Sequence, residues 1–140
     1  MTIRTLIPGG VYGKDRVDVI ALRRALRQAI SGEVRFDPGS KAMYASDASN
    51  FRQVPIGVVI PKTLDDVVAA HRICCEFGAP IVNRGGGTSL SGETVNVAVV
   101  IDHSKYLTVI GETDVANRLI TVETGAINEK RIGARCISPK

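Results

Sequence analysis

The chain has 140 residues, 44% of them apolar, which suffices for one soluble domain with a real core and is too little for two. A formal charge of +4 favours anionic ligands in general. Because the 18 Lys and Arg are dispersed and only 4% of residues are aromatic, a nucleic-acid surface is not expected.

Arg4, Lys14, Asp15 and Arg16 interrupt any apolar leader after Met1, and no stretch reaches the length of a membrane span, so a cytoplasmic protein without a transmembrane segment is expected. Residues 16–30 predict a helix, with Val19, Leu22, Ala25, Leu26, Ala29 and Ile30 on one apolar face and Ser31-Gly32 ending it. Arg23, Arg24 and Arg27 then form a solvated face. Residues 34–50 mix turn chemistry with little periodicity and predict an irregular arm, which Tyr44 and Asp47 could organise.

Residues 56–60 predict a buried strand stopped by Pro61. Thr63-Leu64-Asp65-Asp66 has the form of a capping box, in which Thr63 takes a free amide and Asp66 reaches back. The helix that follows carries Leu64, Val67, Val68, Ala70, Ile73, Cys74 and Phe77 as its apolar stripe, with Gly78 as its C-terminal stop. Residues 80–83 predict a second strand, parallel to the first across a right-handed crossover. Further strands are expected at 97–101, 106–110 and 119–122, with a turn over 112–117. The fold class is α+β, a mixed α/β domain round a small sheet. Cys74 and Cys75 are adjacent and Cys136 is remote, so neither a disulfide framework nor a CxxC metal site is present, and three thiols cannot hold a four-thiolate iron-sulfur cluster.

The informative stretch is Arg84-Gly85-Gly86-Gly87-Thr88-Ser89-Leu90-Ser91-Gly92, directly after the second strand. Glycine runs permit positive φ or close backbone approach, and the amides of Gly85, Gly86 and Gly87 can converge on a phosphate. Arg84 offers charge, and Thr88, Ser89 and Ser91 offer hydroxyls. A phosphate or pyrophosphate cradle outweighs a plain surface turn. A dinucleotide fingerprint is disfavoured because Leu90 stands where glycine or alanine is required, and a P-loop is left as a weak runner-up because Glu93 replaces its lysine.

The loop, together with Gly78-Ala79-Pro80-Ile81-Val82 before it, Tyr44 to Asn50, Val54 to Pro61 and Asn96 to Tyr106, resembles the FAD-binding domain (PCMH type) of FAD-linked oxidases of the vanillyl-alcohol oxidase kind. Within it the sequence is most similar to the glycolate oxidase and D-lactate dehydrogenase branch. The resemblance covers about Arg35 to Gly125. It implies that residues 34–140 are a partial FAD-binding domain with a divergent tail after about 126, preceded by a helical segment over 1–33. It further implies that Arg84, Gly85, Gly86, Gly87, Thr88 and Ser89 hold the FAD pyrophosphate, mainly through backbone amides, with Gly92 and Gly125 close to the cofactor. Relatives that attach flavin covalently use a histidine where this chain has Thr88, so non-covalent FAD is expected. Asp102 is expected to shape its turn.

No catalytic residue is assigned: His71 and His103 are expected at the surface, and Asp65 and Asp66 are explained by helix capping. The resulting expectation is the FAD-binding portion of an oxidoreductase acting on a 2-hydroxy acid, truncated or one piece of a split enzyme and inactive alone. The alternative is a cofactor-free module that self-associates or docks on a partner.

Overall fold

The computed structural model describes residues 17–127. Helix α1 (Val19–Ala29) starts at Asp18, whose carboxylate accepts the amides of Ile20 and Ala21 at 3.1 and 3.0 Å. Those are two of the donors a helix start leaves free. Leu22 and Leu26, one turn apart, are fully buried. Arg16, with which the predicted helix began, and Cys136 lie outside the described residues.

The arm over 34–50 is more ordered than its composition predicts. Strand β1 (Glu33–Arg35) runs antiparallel to β2 (Gly57–Ile60), and Asp37 then caps a short helix, α2 (Pro38–Met43), by accepting the Ser40 amide at 2.8 Å. A three-residue strand is too short to display a period. Proline in the first turn reads equally as a turn or as a helix start.

Helix α3 (Leu64–Glu76) opens as expected at its cap, with Thr63 Oγ1 accepting the Asp66 amide at 3.1 Å. Asp66 reaches back as expected, to the amide just before the cap, and further. Its carboxylate accepts the Lys62 amide (2.9 Å), the Ser31 amide (2.8 Å) and the Ser31 hydroxyl (2.9 Å), and it is buried. The buried face is therefore Asp66, Ala70, Ile73 and Cys74, while Leu64 and Val68 of the expected stripe are 72% and 61% exposed. Burial alone would raise the Asp66 pKa, but the hydrogen bonds from Ser31 and Lys62 outweigh it and hold the group below its ordinary 3.8. A depressed carboxylate contributes stability above the unfolded pKa, and that contribution is lost as pH falls below about 3.8 towards the folded value. Asp66→Ala is expected to cost about 2–3 kcal/mol in urea unfolding at neutral pH, and the cost should shrink in strong acid.

Gly78, at φ +63°, ends the helix with its amide on Cys75 O (3.1 Å), and Ala79 binds Cys74 O (2.8 Å). Strand β3 (Ile81–Arg84) follows, and then β4 (Val99–Asp102). The sheet order is β1-β2-β4-β3, so β2 and β3 are parallel, with β4 inserted between them and parallel to both. Val59, Val99 and Ile101 face α1 and α3, whereas Val58, Ile60 and Val100 face Tyr44 and Tyr106. With both faces covered, β2 and β4 are continuous apolar runs up to Asp102 at the end of β4.

The strand expected at 106–110 starts only at Ile110. Before it, Asp102 Oδ1 accepts the Ser104 amide (2.8 Å) and Leu107 N donates to His103 O (3.3 Å), making a turn of 103–107. Glu33 ties that turn to β1 through Lys105 and the Tyr106 hydroxyl; these bonds and the one from Arg35 hold its pKa down at about 2. A separate hairpin, β5 (Ile110–Asp114) and β6 (Leu119–Val122), completes the described fold, its turn at 115–118 containing Arg118 at φ 55°.

Candidate functional site

The glycine loop leaves the C-terminal end of β3, beside the end of β4, where open parallel sheets place their ligand crevices. Its glycines differ in purpose. Gly87 (φ +66°) and Gly92 (φ +79°) occupy the left-handed region. Gly85 and Gly86 do not, and a β-carbon on them would come no nearer than 3.9 Å to Thr124 O and 3.6 Å to the Thr88 methyl. Packing among the described residues thus gives no reason for glycine at 85 and 86. Among the described residues, no acceptor meets the amides of Gly85, Gly86, Gly87, Thr88 or Ser89. Five consecutive free donors, three of them on glycines, are open to an anion.

Two of the polar side chains of the loop are engaged within the chain. The Ser89 hydroxyl is engaged with the Glu93 carboxylate and accepts the Ser91 and Glu93 amides at 3.3 and 3.1 Å. Thr88 is exposed. Arg84, expected to offer its charge to the ligand, turns its guanidinium to the arm and donates to Ser46 O at 3.0 Å. Asp102 shapes its turn, as expected, and also accepts the Tyr44 hydroxyl. A β-carbon on Gly125 would fall 2.2 Å from His103 O, so this glycine is required by the close passage of the 124–126 segment over the β4 turn.

A cleft of about 430 Å³ adjoins the loop, lined by His71 from α3, Asn83 and Arg84 from β3, and Gly85, His103 and Thr124. Here the structure corrects the sequence reading, because His103 is buried. His71 Nδ1 donates to Val67 O (2.9 Å), so its Nε2 accepts from Asn83 Nδ2 (3.3 Å). Asn83 Oδ1 then accepts from His103 Nε2 (3.0 Å), and His103 Nδ1 remains a buried acceptor with no partner among the described residues. Nothing in a single histidine after a strand signals this; the partners come from an element twenty or more residues away. Burial pushes the His103 pKa below 6.5, opposed by Asp102. The neutral ring therefore contributes stability above pH 6.5 that is lost as pH falls from there towards the folded value. In an NMR pH titration His103 should titrate below a free imidazole, and its neutral form should be the Nε2–H tautomer.

Residues 55–130, more than half of the chain, match the family model described as FAD binding domain. The chain belongs to the FAD-binding domain family. Over 106 residues it is 27% identical to D-2-hydroxyglutarate dehydrogenase of Haemophilus influenzae, covering 74% of this chain and 10% of that protein. Over 109 residues it is 32% identical to glycolate oxidase subunit GlcD of Bacillus subtilis, covering 75% and 23%. This FAD-binding chain thus spans between a tenth and a quarter of the length of those two relatives. Among solved structures, alkyldihydroxyacetonephosphate synthase superimposes with a TM-score of 0.71 at 15% identity, over 93% of this chain and 27% of that one. For 4-ethylphenol oxidase from Gulosibacter chungangensis the TM-score is 0.67 at 18% identity, over 92% and 26%. These likenesses show the fold, which is that of the FAD-binding domain of vanillyl-alcohol oxidase-type flavoenzymes, as expected.

FAD is the cofactor of this family, and the residues present fit it: the free amides of 85–89 and the open glycines suit a pyrophosphate. No described helix is long and apolar enough to cross a membrane.

Proposed function

We propose that this chain holds the ADP-pyrophosphate half of FAD, as the FAD-binding portion of a flavin-dependent oxidoreductase acting on a 2-hydroxy acid. The observation that carries the reading is the row of unpartnered amides over Gly85, Gly86, Gly87, Thr88 and Ser89 at the end of β3. Those amides take the two phosphates, Gly92 turns the loop back, and Gly125 keeps the neighbouring segment close beneath it. Thr88 forms no bond to flavin, so FAD stays non-covalent. When bound, FAD supplies the acceptor for a hydride equivalent. The substrate class is supported by relatives named for D-2-hydroxyglutarate, glycolate and D-lactate.

Turnover needs a base and a cation for the substrate carboxylate. Arg84 is bound to the arm and His71 and His103 both bond Asn83, leaving His103 Nδ1 as the unpartnered ring nitrogen among the described residues; the reading is a binding role without turnover. Mixing the FAD-loaded chain with D-lactate, glycolate or D-2-hydroxyglutarate without oxygen should leave the flavin absorbance unbleached. Bleaching by any of the three would overturn the non-catalytic part. A second reading, a cofactor-free association module, draws on Val109, Val115, Leu119 and Val122, all at least 48% exposed on or beside the β5–β6 hairpin. It requires a dimer or larger species in sedimentation that is indifferent to FAD.

A further inference from the structure

Arg84 is the one cation of the glycine loop, and its half-buried side chain is contacted by the chain itself. Cζ lies 5.2 Å from the centroid of the Tyr44 ring, and Nη1 donates to Ser46 O. On the other side the group packs against Gly87, where a β-carbon would fall 2.5 Å from Nη2 and 2.9 Å from Cζ. Tyr44 is held in turn by its hydroxyl bond to Asp102, the register partner of Arg84 in the β3–β4 ladder. The same arm meets the loop at three further points. Ala48 N donates to Gly87 O (3.0 Å), Thr94 Oγ1 donates to Asp47 Oδ2 (2.7 Å), and the Phe51 ring fills the space beside Gly92.

We infer that Tyr44 and Arg84 are positioning residues: their stack, backed by the arm over 44–51, holds Gly87 in its left-handed conformation and presets the free amides of the loop for a diphosphate. Arg84 acts through geometry, and its charge is not the counterion of the ligand. A guanidinium is required, since it meets Tyr44, Ser46 O and Gly87 with different atoms at once, whereas a lysine keeps the charge on a single ammonium. The ligand half of this inference rests on the proposed function; the loop-ordering half does not.

The test uses the full chain and the variants Arg84→Lys, Arg84→Gln and Tyr44→Leu, read in two ways. In the ligand-free protein, ¹⁵N relaxation should show order parameters of Gly85–Gly87 falling from about 0.85 to below about 0.6 in all three variants, with β2 and β4 unchanged. Hydrogen exchange of the Ala48 amide should quicken in parallel. In FAD titrations, Arg84→Lys and Arg84→Gln should lose affinity alike, by ~10–100-fold, with the salt dependence of the native chain retained. The inference is overturned if Arg84→Lys binds as the native chain does while Arg84→Gln weakens with a shallower salt dependence, for then the charge meets the phosphate. It is equally overturned if loop order and Ala48 exchange do not change. Native protein that fails to bind FAD, but whose loop loosens in the variants, would refute the FAD reading and leave the positioning pair standing.

Discussion

Replacing Gly86 by valine is expected to leave the thermal midpoint within about 2 °C of the native value while weakening FAD binding at least ~100-fold, or about 2.7 kcal/mol. The two effects separate because of what surrounds this glycine. Its φ is one any residue adopts, and a β-carbon would meet nothing nearer than the Thr88 methyl at 3.6 Å, so the fold has no objection. The added isopropyl group is instead expected to crowd the row of free amides, where a phosphate oxygen would have to approach. Calorimetric titration and a melt on the same sample check both halves. A valine variant that binds as the native chain does would move the anion away from this stretch of backbone.

Gly125→Ala should do the opposite. The new β-carbon would lie 2.2 Å from His103 O, 2.7 Å from His103 C and 2.8 Å from Leu107 O, all backbone atoms held by the Leu107–His103 and Gly125–Leu107 hydrogen bonds. No side chain can move aside to relieve it. A loss of about 3 kcal/mol or more is expected, with a midpoint lower by ~10 °C or more in the absence of any ligand. An alanine variant that melts normally but binds FAD poorly would assign Gly125 to the cofactor and not to the fold.

These two glycines also mark what could be read from the chain alone. Local chemistry was legible: Thr63 and Gly78 bracket α3 because capping acts within a few residues, and β2 and β4 declare themselves as unbroken apolar runs. The loop could be placed at a strand end for the same reason. Interactions that close over long stretches of chain were not legible. Asp66 looked like half of a capping box, but its carboxylate also serves Ser31, 35 residues earlier, so this side of α3 is buried while Leu64 and Val68 face outward. The insertion of β4 between β2 and β3 leaves no trace in periodicity. Arg84 carries the expected residue type for a phosphate site, yet only the arrival of Tyr44 and Ser46, about forty residues upstream, shows where its guanidinium is spent. His103 became a buried group through Asn83, on a strand twenty residues away.

The central claim is that the loop after β3 binds the diphosphate of FAD, and it is tested most directly by calorimetric titration of the purified chain with FAD, ADP and riboflavin in parallel. Saturable binding of FAD and ADP, each raising the thermal midpoint, with none by riboflavin, is the predicted result, because the amides of 85–89 recognise the pyrophosphate that riboflavin lacks. A folded chain that binds neither FAD nor ADP, or that binds riboflavin as well as FAD, would contradict it.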